Sequence, residues 1–348
     1  MNTLKYRIDP ANPDLNILEI VVRDLKKGEL VVFPTETVYG LGANAFNEAA
    51  VKKIYEVKGR PHDNPLIVHI SSINQLEDIT VGTGCLSPEE FKKILEKLWP
   101  GPVTFILERK AHVPPQVSAG LSTVAVRFPA HPVARKLIEL AGVPVAAPSA
   151  NLSGRPSPTE EEHVLEDMDG KVRYILLSGS TPLGLESTVL DLTSSPPRIL
   201  RPGPISVEKL HEILGTDVEI PESARGRKSE KTPLSPGMKH RHYAPTKPLL
   251  LVEGELTEEI MKRLPQKSVI ICSKETASNL HEYPTLIWGN KNDLFAAARK
   301  LFSLFRDAEK MDAEIIVAEG VEEKGLGLAV MNRLRRAASR VIYNRGDS

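Results

Sequence analysis

Several short polar stretches of the sequence combine cations, hydroxyls and amides at the ends of apolar segments. In KGRPHDNPL, Lys58, Arg60 and Asn64 surround a glycine and two prolines, which is typical of an anion-binding loop. In AAPSAN, Ser149 and Asn151 have the same parity at the end of an apolar strand. The same residue types also occur at ordinary solvated helix ends and turns, so neither stretch identifies a site by itself.

Two β-branched stretches place a polar side chain on the face opposite their apolar residues. Two-residue alternation in LIVHI sets His69 on the opposite face from Val68 and Ile70. In STVAVRFP, the same alternation sets Thr123 and Arg127 opposite the valines. A buried guanidinium keeps its charge and requires a carboxylate, a phosphate or water. Arg127 is therefore either a ligand-binding residue or half of an internal salt bridge, and His69 is either a site residue or a satisfied structural group.

The same pattern recurs in VVFPTETVYGLG, GRPSPT, GLESTVLDL and RILRPGP, which contain Thr37, Thr159, Ser187 and Arg201. So many polar strand ends in one region predict that these ends converge on one cavity. The sequence contains no G-x-x-x-x-G-K-[ST] loop, no G-x-S-x-G elbow, no H-E-x-x-H and no paired carboxylates with metal-ligand spacing. A site of this composition suits positioning and charge stabilisation of a phosphate-bearing substrate rather than covalent catalysis.

Composition limits the class of protein. The chain has 348 residues, 41% of them hydrophobic, which favours two domains with real cores. Its 45 basic and 45 acidic residues cancel, so an anion site must come from local clusters. Cys85 and Cys272 lie far apart, which favours a reducing compartment, two buried thiols and no structural zinc. Because the N-terminus is polar and no apolar run could span a bilayer, we expect a cytoplasmic protein without membrane contact.

Short β-branched runs alternate with helical patterns over residues 1–220 and predict a mixed α/β domain. The predicted strand segments are ELVVFPT, NPLIVHIS, PVTFILE, STVAVRFP, VPVAAPSAN, RYILLSG, ESTVLDL and PRILRPG. A capping box formed by Ser87 and Glu90 begins one helix between them. Another helix ends at Gly59, and we expect the neighbouring Arg60 to be an exposed charge at its exit.

Residues 221–247 are rich in charge, proline and glycine and are predicted to be a linker. Over residues 248–348, the strand segments PLLLVEG, KSVIICSK, PTLIWGN and AEIIVAEG alternate with the helical patterns TEEIMKRL, NDLFAAARKLFSLFRDAEKM and LAVMNRLRRAASRVI. This alternation predicts a smaller, doubly wound domain with a parallel sheet. Gly325 and Gly327 indicate a tight turn into the last helix, whose basic residues are expected on a solvated surface: Arg333, Arg335, Arg336 and Arg340.

Taken together and in this order, FPTETVYGLG, KGRPHDNPLIVH, STVAVRFP, APSANLSGRPSPT, LESTVLDL and ILRPGP resemble the YrdC-type threonylcarbamoyl-AMP synthases. The similarity covers residues 12–215, and KxR followed by SxN is the signature of that family. The stretch SPGMKHRHYAP and the terminal α/β domain resemble its longer, two-domain form. The resemblance implies an open, twisted mixed sheet with helices around a concave basic cavity, followed by a smaller Rossmann-like parallel-sheet domain.

The resemblance also implies a reaction. L-threonine, bicarbonate or carbon dioxide, and ATP would give threonylcarbamoyl-AMP and pyrophosphate, with Mg²⁺ carried on the triphosphate and no protein metal ligand. The product would pass to tRNA threonylcarbamoyl-transfer machinery made of other proteins. Weak tRNA or RNA binding, preference for threonine over serine, the oligomeric state and the role of the C-terminal domain stay open at this level.

Family roles can be carried over to matching positions. The residues implied for L-threonine binding are Thr37, His69, Arg127 and Ser187, with the Arg127 guanidinium on the substrate carboxylate. The residues implied for ATP binding are Lys58, Arg60, Asn64, Thr123, Ser149, Asn151, Thr159, Arg201 and Tyr243. Lys58 and Arg60 would be catalytic because they would face the developing negative charge. On this basis Arg60→Ala is expected to abolish product formation without harming the fold.

The linker would also close the site in the family form. Tyr243, preceded by Lys239, His240, Arg241 and His242, would fold across the cavity and shield a labile carbamate from water. A basic linker without a role in the site is the alternative. The lack of nearby Cys or carboxylate ligands argues against a metal held by the two histidines.

Two other classes of protein compete with this interpretation. A double-stranded RNA-binding or ribosome-maturation factor without catalysis would use a concave basic surface, but zero net charge counts against it. A carbamoyl-transfer enzyme for hydrogenase maturation carries a related domain with cysteine-rich zinc modules, which two isolated cysteines cannot build. Salt-dependent RNA affinity without turnover would identify the first of these alternatives.

Overall fold

The computed structural model of the chain describes residues 2–227 and 242–344. The first range contains β1 (Leu4–Arg7), α1 (Leu15–Lys26), β2 (Val31–Phe33), β3 (Gly40–Asn44), α2 (Glu48–Lys58), β4 (Ile67–His69), α3 (Ile73–Ile79), β5 (Thr80–Val81), α4 (Pro88–Leu98), β6 (Val103–Arg109), β7 (Thr123–Arg127), α5 (Pro132–Ala141), β8 (Val145–Ala146), α6 (Glu161–Met168), β9 (Tyr174–Leu177), β10 (Thr188–Asp191), β11 (Arg198–Arg201) and α7 (Val207–Leu214).

These strands form one 11-stranded sheet in the order β1-β9-β2-β3-β8-β4-β7-β6-β10-β11, with β5 paired to β6. The sheet contains both parallel and antiparallel pairs, which confirms the predicted mixed sheet. β3 was not predicted because its sequence GLGAN lacks β-branched residues. Its small residues are required by packing, since a Cβ at Gly42 would lie 2.7 Å from the Phe33 ring.

The predicted helix boundaries agree with the structure where capping residues mark them. Ser87 and Glu90 form the capping box at the start of α4. Capping residues also mark both ends of α2: Asn47 caps its start, and Gly59 ends it in the left-handed conformation with φ of 60°. This turn reverses the chain immediately after Lys58 and directs the next residues toward the sheet.

The two faces of the large sheet are covered differently. One face packs the valines of β4 and β7 into the largest core, together with apolar residues of α2 and α4. On the other face, α1 and α5 pack together over the half of the sheet that contains β1, β9 and β2. The other half of that face carries a small apolar cluster of Ile67, Ile106, Ala125, Val189 and Leu200. His69 and Arg127 point to this less covered area, because each has the same parity as a member of the cluster.

The second range contains β12 (Leu249–Glu253), α8 (Glu258–Met261), β13 (Ser268–Cys272), α9 (Lys274–Ala277), β14 (Thr285–Ile287), α10 (Leu294–Lys310), β15 (Ile315–Glu319), α11 (Gly327–Ala337) and β16 (Arg340–Tyr343). Its five strands are all parallel, in the order β14-β13-β15-β12-β16, and they pack with α10 and α11 around a separate core. The predicted parallel-sheet domain is therefore confirmed.

Three details of the sequence interpretation are wrong. The last helix does not continue to the end of LAVMNRLRRAASRVI, because α11 ends at Ala337 and the next apolar residues pair as β16. Cys85 is exposed rather than buried, whereas Cys272 is buried, and both thiols are free. Arg333 and Arg335 are buried instead of solvated, although Arg340 is exposed as expected.

Among the described residues, no helix combines the length and apolar character needed to cross a bilayer.

Candidate active site

A cavity opens on the less covered face of the large sheet, above the small apolar cluster. It encloses about 680 Å³ of empty space, including its open mouth. Most of the predicted site residues line it, namely Thr37, Lys58, Arg60, His69, Arg127, Ser149, Asn151, Ser187, Arg201 and Tyr243. The expectation that polar strand ends converge on one cavity is therefore met by the fold.

The two halves of the KxR and SxN pattern are joined by direct hydrogen bonds. Lys58 Nζ donates to the backbone oxygen of Ser149 at 2.5 Å and also to the backbone oxygen of Asn151. Ser149 Oγ donates to Asn151 Oδ1 at 2.5 Å. Burial, reinforced by the nearby charge of Arg60, holds the pKa of Lys58 well below its usual value. An anion beside Lys58 would favour its charged form, which makes this corner suitable for phosphate.

Arg60 is buried, with 8% of its surface exposed, and the expectation of an exposed helix-exit charge is wrong. Its Nε donates to the backbone oxygen of Asn64 at 3.0 Å, and its Nη2 donates to the backbone oxygen of Pro65 at 2.8 Å. Burial lowers its pKa to about 10. The proline-rich turn after Gly59 folds back over the helix end, which explains why a charge predicted to be solvated lies inside.

Arg127 lies at the end of β7, where it forms the internal salt bridge that its sequence context allowed and also lines the cavity. Its Nη1 donates to Thr37 Oγ1 at 2.8 Å, and its Nη2 lies 2.6 Å from Glu36 Oε1 in a buried ion pair. Burial raises the pKa of Glu36, but the charge of Arg127 outweighs this effect and the net pKa is lowered. Arg127 nevertheless lines the cavity, so the ion pair fixes the guanidinium at the site rather than removing it.

His69 lies beside Arg127 in the parallel register of β4 and β7. Burial, followed by the positive charge of Arg127, lowers the pKa of His69 to about 3, so the imidazole is neutral near pH 7. One edge packs against Phe33, with ring centroids 6.0 Å apart. The Nδ1 atom is buried and has no hydrogen-bond partner among the described residues. A neutral ring with unused hydrogen-bonding capacity suits a polar, uncharged group of a ligand.

The far wall of the cavity is formed by the antiparallel pair β10 and β11. Arg201 donates from Nε to the backbone oxygen of Ser187 and from Nη2 to Ser187 Oγ, both at 3.1 Å. Ser187 Oγ also lies 2.7 Å from Thr104 Oγ1. Burial lowers the pKa of Arg201. The consecutive strands β10 and β11 therefore deliver a hydroxyl and a guanidinium to the same point.

Tyr243 covers the cavity from the side of the second region. Its ring stacks on Phe302, with centroids 5.3 Å apart, and it lines the cavity together with His242. Tyr243 adopts φ of 64°, an uncommon conformation for a bulky residue, which indicates that its surroundings fix it. The neighbouring Lys239, His240 and Arg241, which were predicted to close the site with Tyr243, lie outside the described residues.

Three predicted ATP-binding residues do not line the cavity. Thr123 lies at the start of β7, opposite Glu108. Asn64 and Thr159 are buried next to cavity residues, and the side-chain polar atoms of both have no hydrogen-bond partner among the described residues. Asn64 and Thr159 therefore keep polar atoms that a ligand could use, whereas Thr123 lies at the opposite end of β7 from Arg127.

The structure also places residues at the cavity that the sequence interpretation missed. They are Thr35, Ser153, Gly154, Ser157 and Glu186, whereas Arg155, which also lines the cavity, lies in the GRPSPT turn that was predicted to approach the site. Glu186 immediately precedes Ser187, and its carboxylate accepts from Ser157 Oγ at 2.5 Å. The only available signal was their position beside predicted site residues in GRPSPT and GLES. Across the described ranges, no group of at least three His, Cys, Asp or Glu side chains is arranged to hold a metal ion.

The fold and the cavity together define a two-region α/β protein whose larger sheet has a cationic face able to bind an anionic ligand. Comparison with known proteins identifies the family. The Sua5–YciO–YrdC family model, described as telomere recombination, matches residues 23–203, and a model described as the C-terminal domain of threonylcarbamoyl-AMP synthase matches residues 205–339. The chain belongs to this Sua5–YciO–YrdC family and has its two-domain form.

Relatives of similar length support this assignment. The threonylcarbamoyl-AMP synthase of Pyrococcus abyssi (strain GE5 / Orsay) is 45% identical over 327 residues, which cover 92% of this chain and 94% of that protein. The enzyme of the same name from Bacillus subtilis (strain 168) is 45% identical over 325 residues, covering 91% and 92%. The crystal structure of P. abyssi Sua5 complexed with L-threonine has a TM-score of 0.90 at 43% identity and covers 99% of this chain and 100% of that chain. These relationships confirm the family and fold and favour catalysis over the RNA-binding alternative.

Proposed function

We propose that this protein forms threonylcarbamoyl-AMP and pyrophosphate from L-threonine, bicarbonate or carbon dioxide, and ATP. The observation that carries the proposal is the convergence of Lys58, Arg60, Arg127 and Arg201 on one largely buried cavity. The nearby carboxylates, Glu36 and Glu186, are both paired with arginines. Such a surplus of buried positive charge has no role in a closed core and suits a substrate with several negative charges.

L-threonine is proposed to bind beside the ends of β4 and β7. The relative whose crystal structure contains L-threonine supports this assignment at 43% identity over nearly the whole chain. The Arg127 guanidinium, held by Glu36 and Thr37, would bind the carboxylate of the amino acid. His69 is neutral and its Nδ1 has no hydrogen-bond partner among the described residues, so it suits the threonine hydroxyl. Ser187 would complete this end of the site.

The chemistry would then proceed in two steps. The neutral amine of threonine attacks carbon dioxide and loses a proton, which gives a carbamate. A carbamate oxygen attacks the α-phosphorus of ATP, and the bond from that phosphorus to the bridging oxygen breaks, releasing pyrophosphate. Lys58, Arg60 and Arg201 would face the charge that develops on the phosphates, while Ser149 and Asn151 position the nucleotide. No side chain needs to act as a covalent nucleophile.

Magnesium is proposed to arrive with ATP as part of the substrate. The carboxylates beside the cavity are already ion-paired, and Mg²⁺ commonly keeps several waters while it binds phosphate oxygens. The proposal also includes transfer of the product to separate tRNA-modifying proteins and a cytoplasmic location. Two free cysteines are consistent with that compartment.

Omission of single substrates tests the proposed function. The purified protein should release pyrophosphate from ATP and form a threonine-containing adenylate, detected by mass spectrometry, when threonine and bicarbonate are both present. Omitting either should remove the adenylate, and replacing threonine by serine measures the side-chain preference. Pyrophosphate release that does not depend on threonine, or tight salt-dependent RNA binding without turnover, would contradict the proposal.

A further inference from the structure

Helix α11 of the second region inserts one arginine into the wall of the cavity of the first region. Arg333 is fully buried. Its Nε donates to Glu186 Oε2 at 3.0 Å, and its Nη1 donates to the backbone oxygen of Pro202 at 2.7 Å. Both acceptors are direct chain neighbours of cavity residues, because Glu186 precedes Ser187 and Pro202 follows Arg201. One guanidinium therefore connects the start of β10 with the end of β11, next to the points where Ser187 and Arg201 reach the cavity.

The carboxylate bound by Arg333 is itself part of the cavity surface. Its other oxygen accepts from Ser157 Oγ at 2.5 Å, and both Ser157 and Glu186 line the cavity. Burial raises the pKa of Glu186, but the charge of Arg333 and then that of Arg201 outweigh burial and lower it overall. Glu186 is thus held as a carboxylate between a residue of the second region and the site.

The same guanidinium also supports the residue that covers the site. The Arg333 Cζ atom lies 5.4 Å from the centroid of the Tyr243 ring. This geometry is that of a cation–π contact, which strengthens when it is removed from water. Phe302 of α10 packs against the same ring, so the second region holds Tyr243 through two side chains.

We propose that Arg333 is a positioning residue for the reaction: through Glu186 and Tyr243 it fixes the β10–β11 wall and the cover of the cavity. This inference rests on the proposed function of the cavity. It assigns the C-terminal domain a part in catalysis through geometry, although Arg333 itself contacts no reacting atom. It also explains why a basic side chain predicted to be solvated is fully buried.

Arg306 of α10 provides a matched control for this inference. It is also a fully buried arginine of the second region that binds carboxylates of the first, Asp167 at 2.6 Å and Glu166 at 3.2 Å. It donates as well to the backbone oxygen of Pro156 at 2.8 Å. None of its three acceptor residues lines the cavity, but Pro156 lies between the cavity residues Arg155 and Ser157, and Asp167 also binds Arg155. The two arginines thus share charge, burial and a role between regions, and they differ in that only Arg333 binds a side chain that lines the cavity, Glu186.

The test compares Arg333→Met, Arg333→Lys and Arg306→Met in the full chain. Both methionine variants should lower the midpoint of thermal unfolding. We expect Arg333→Met to reduce kcat/KM for threonylcarbamoyl-AMP formation by about 100-fold, the effect of a misplacement near 1 Å. Arg306→Met should lower kcat/KM much less than Arg333→Met, because no side chain that it binds lines the cavity. Arg333→Lys should recover part of the loss, because it keeps the charge but cannot span both acceptors.

Equal kcat/KM in Arg333→Met and Arg306→Met would show that Arg333 only joins the two regions and would overturn the inference. If Arg333→Met does not fold, the double variant Arg333→Met/Glu186→Leu decides, since it leaves no unpaired buried carboxylate. That variant should fold and have low activity, and wild-type activity in it would overturn the inference. A wild-type protein that forms no adenylate would instead contradict the proposed function, so the two failures can be told apart.

Discussion

Two pairs of parallel strands, one in each sheet, end in titratable or charged side chains, and their surroundings differ. In the larger sheet, β4 and β7 end in His69 and Arg127, which are register partners. In the smaller sheet, β12 and β15 end in Glu253 and Glu319. Both positions are strand ends of the kind at which ligand sites of α/β proteins are found. Only the first has hydrogen-bonding capacity that the described residues leave unused.

The carboxylates of the smaller sheet are satisfied by neighbouring groups of the chain. Glu319 accepts from the backbone nitrogen of Ser273 at 2.8 Å and from Thr276 Oγ1 at 2.7 Å. Glu253 accepts two hydrogen bonds from Arg335, at 2.7 and 2.9 Å. At the other strand pair, His69 Nδ1 has no such partner within the described ranges, and further cations converge nearby. Charged strand ends alone therefore do not identify a site, whereas unsatisfied polar atoms and surplus charge do.

The largest expected difference in activity is between substitutions of two buried arginines, Arg60 at the cavity of the larger sheet and Arg335 beside the strand ends of the smaller sheet. Arg60→Ala should reduce product formation about 1,000-fold, because a cation facing the developing phosphate charge is lost. It should also lower the free energy of unfolding by about 2 kcal/mol, since two backbone carbonyls lose their donors. Arg335→Ala should destabilise the fold and keep full turnover. Pyrophosphate release and urea unfolding measure these effects, and normal turnover by Arg60→Ala would remove Arg60 from the catalytic set.

The strand ends themselves can be compared by conservative changes. Arg127→Lys keeps a positive charge beside Glu36 but loses the planar fork, so kcat/KM for threonine should fall about 100-fold. Glu319→Gln keeps the shape of the side chain at the corresponding end of β15 and should change only stability. Steady-state kinetics at varied threonine concentration measure kcat/KM for both variants. Equal losses in the two variants would mean that the strand ends do not differ as described.

A smaller effect is expected from substitution of Thr37, whose hydroxyl accepts a hydrogen bond from Arg127. Thr37→Val removes this acceptor with little change of volume, and the KM for threonine should rise about 10-fold, as for a single hydrogen bond to a charged group. Thr80→Val is a matched control, because Thr80 is also buried and its hydroxyl makes one hydrogen bond, to the backbone oxygen of Leu76 at 2.8 Å. An unchanged KM in Thr37→Val would place the substrate carboxylate elsewhere.

The last expected effect is on acid stability rather than on turnover. The pKa of His69 falls from 6.5 to about 3 on folding, first because of burial. The neutral ring therefore stabilises the folded state fully above pH 6.5, and this contribution is lost as the pH falls toward 3. His69→Gln should flatten the pH dependence of unfolding in that window by up to about 1.4 kcal/mol per pH unit. Single-tryptophan variants that keep Trp99 or Trp288 report on each region, and an equal change in both would contradict a local origin.

The sequence predicted most strands from their β-branched residues, and capping residues predicted the start of α4 and the end of α2. The short strands β1 and β5 were missed, as were β3 and β16, whose pairing depends on tertiary contacts: Gly42 lies against Phe33, and β16 adds to the edge of β12. Alternation correctly placed His69 and Arg127 on the cavity face, since strand parity is a local property. The exposure of Cys85 was not predictable, because it depends on how a short turn lies on the surface.

The site was predicted less completely than the fold. Motif spacing indicated the residues that line the cavity, but it did not reveal that Glu36 pairs with Arg127 or that Arg333 reaches Glu186 across 147 positions of the chain. Both contacts join charges that lie on separate elements, and only folding brings them together. The burial of Arg60 was missed for a different reason, because its acceptors are backbone oxygens of the turn that follows it and depend on how that turn folds back.

The central claim is that one cavity of the large sheet holds the amino acid and the nucleotide together. A crystal structure of the protein with threonylcarbamoyl-AMP formed from its substrates tests this directly. The account predicts the amino-acid carboxylate against Arg127 and Thr37, and the phosphate against Lys58 and Arg60. A ligand bound at the strand ends of the smaller sheet, or threonine bound away from Arg127, would contradict it.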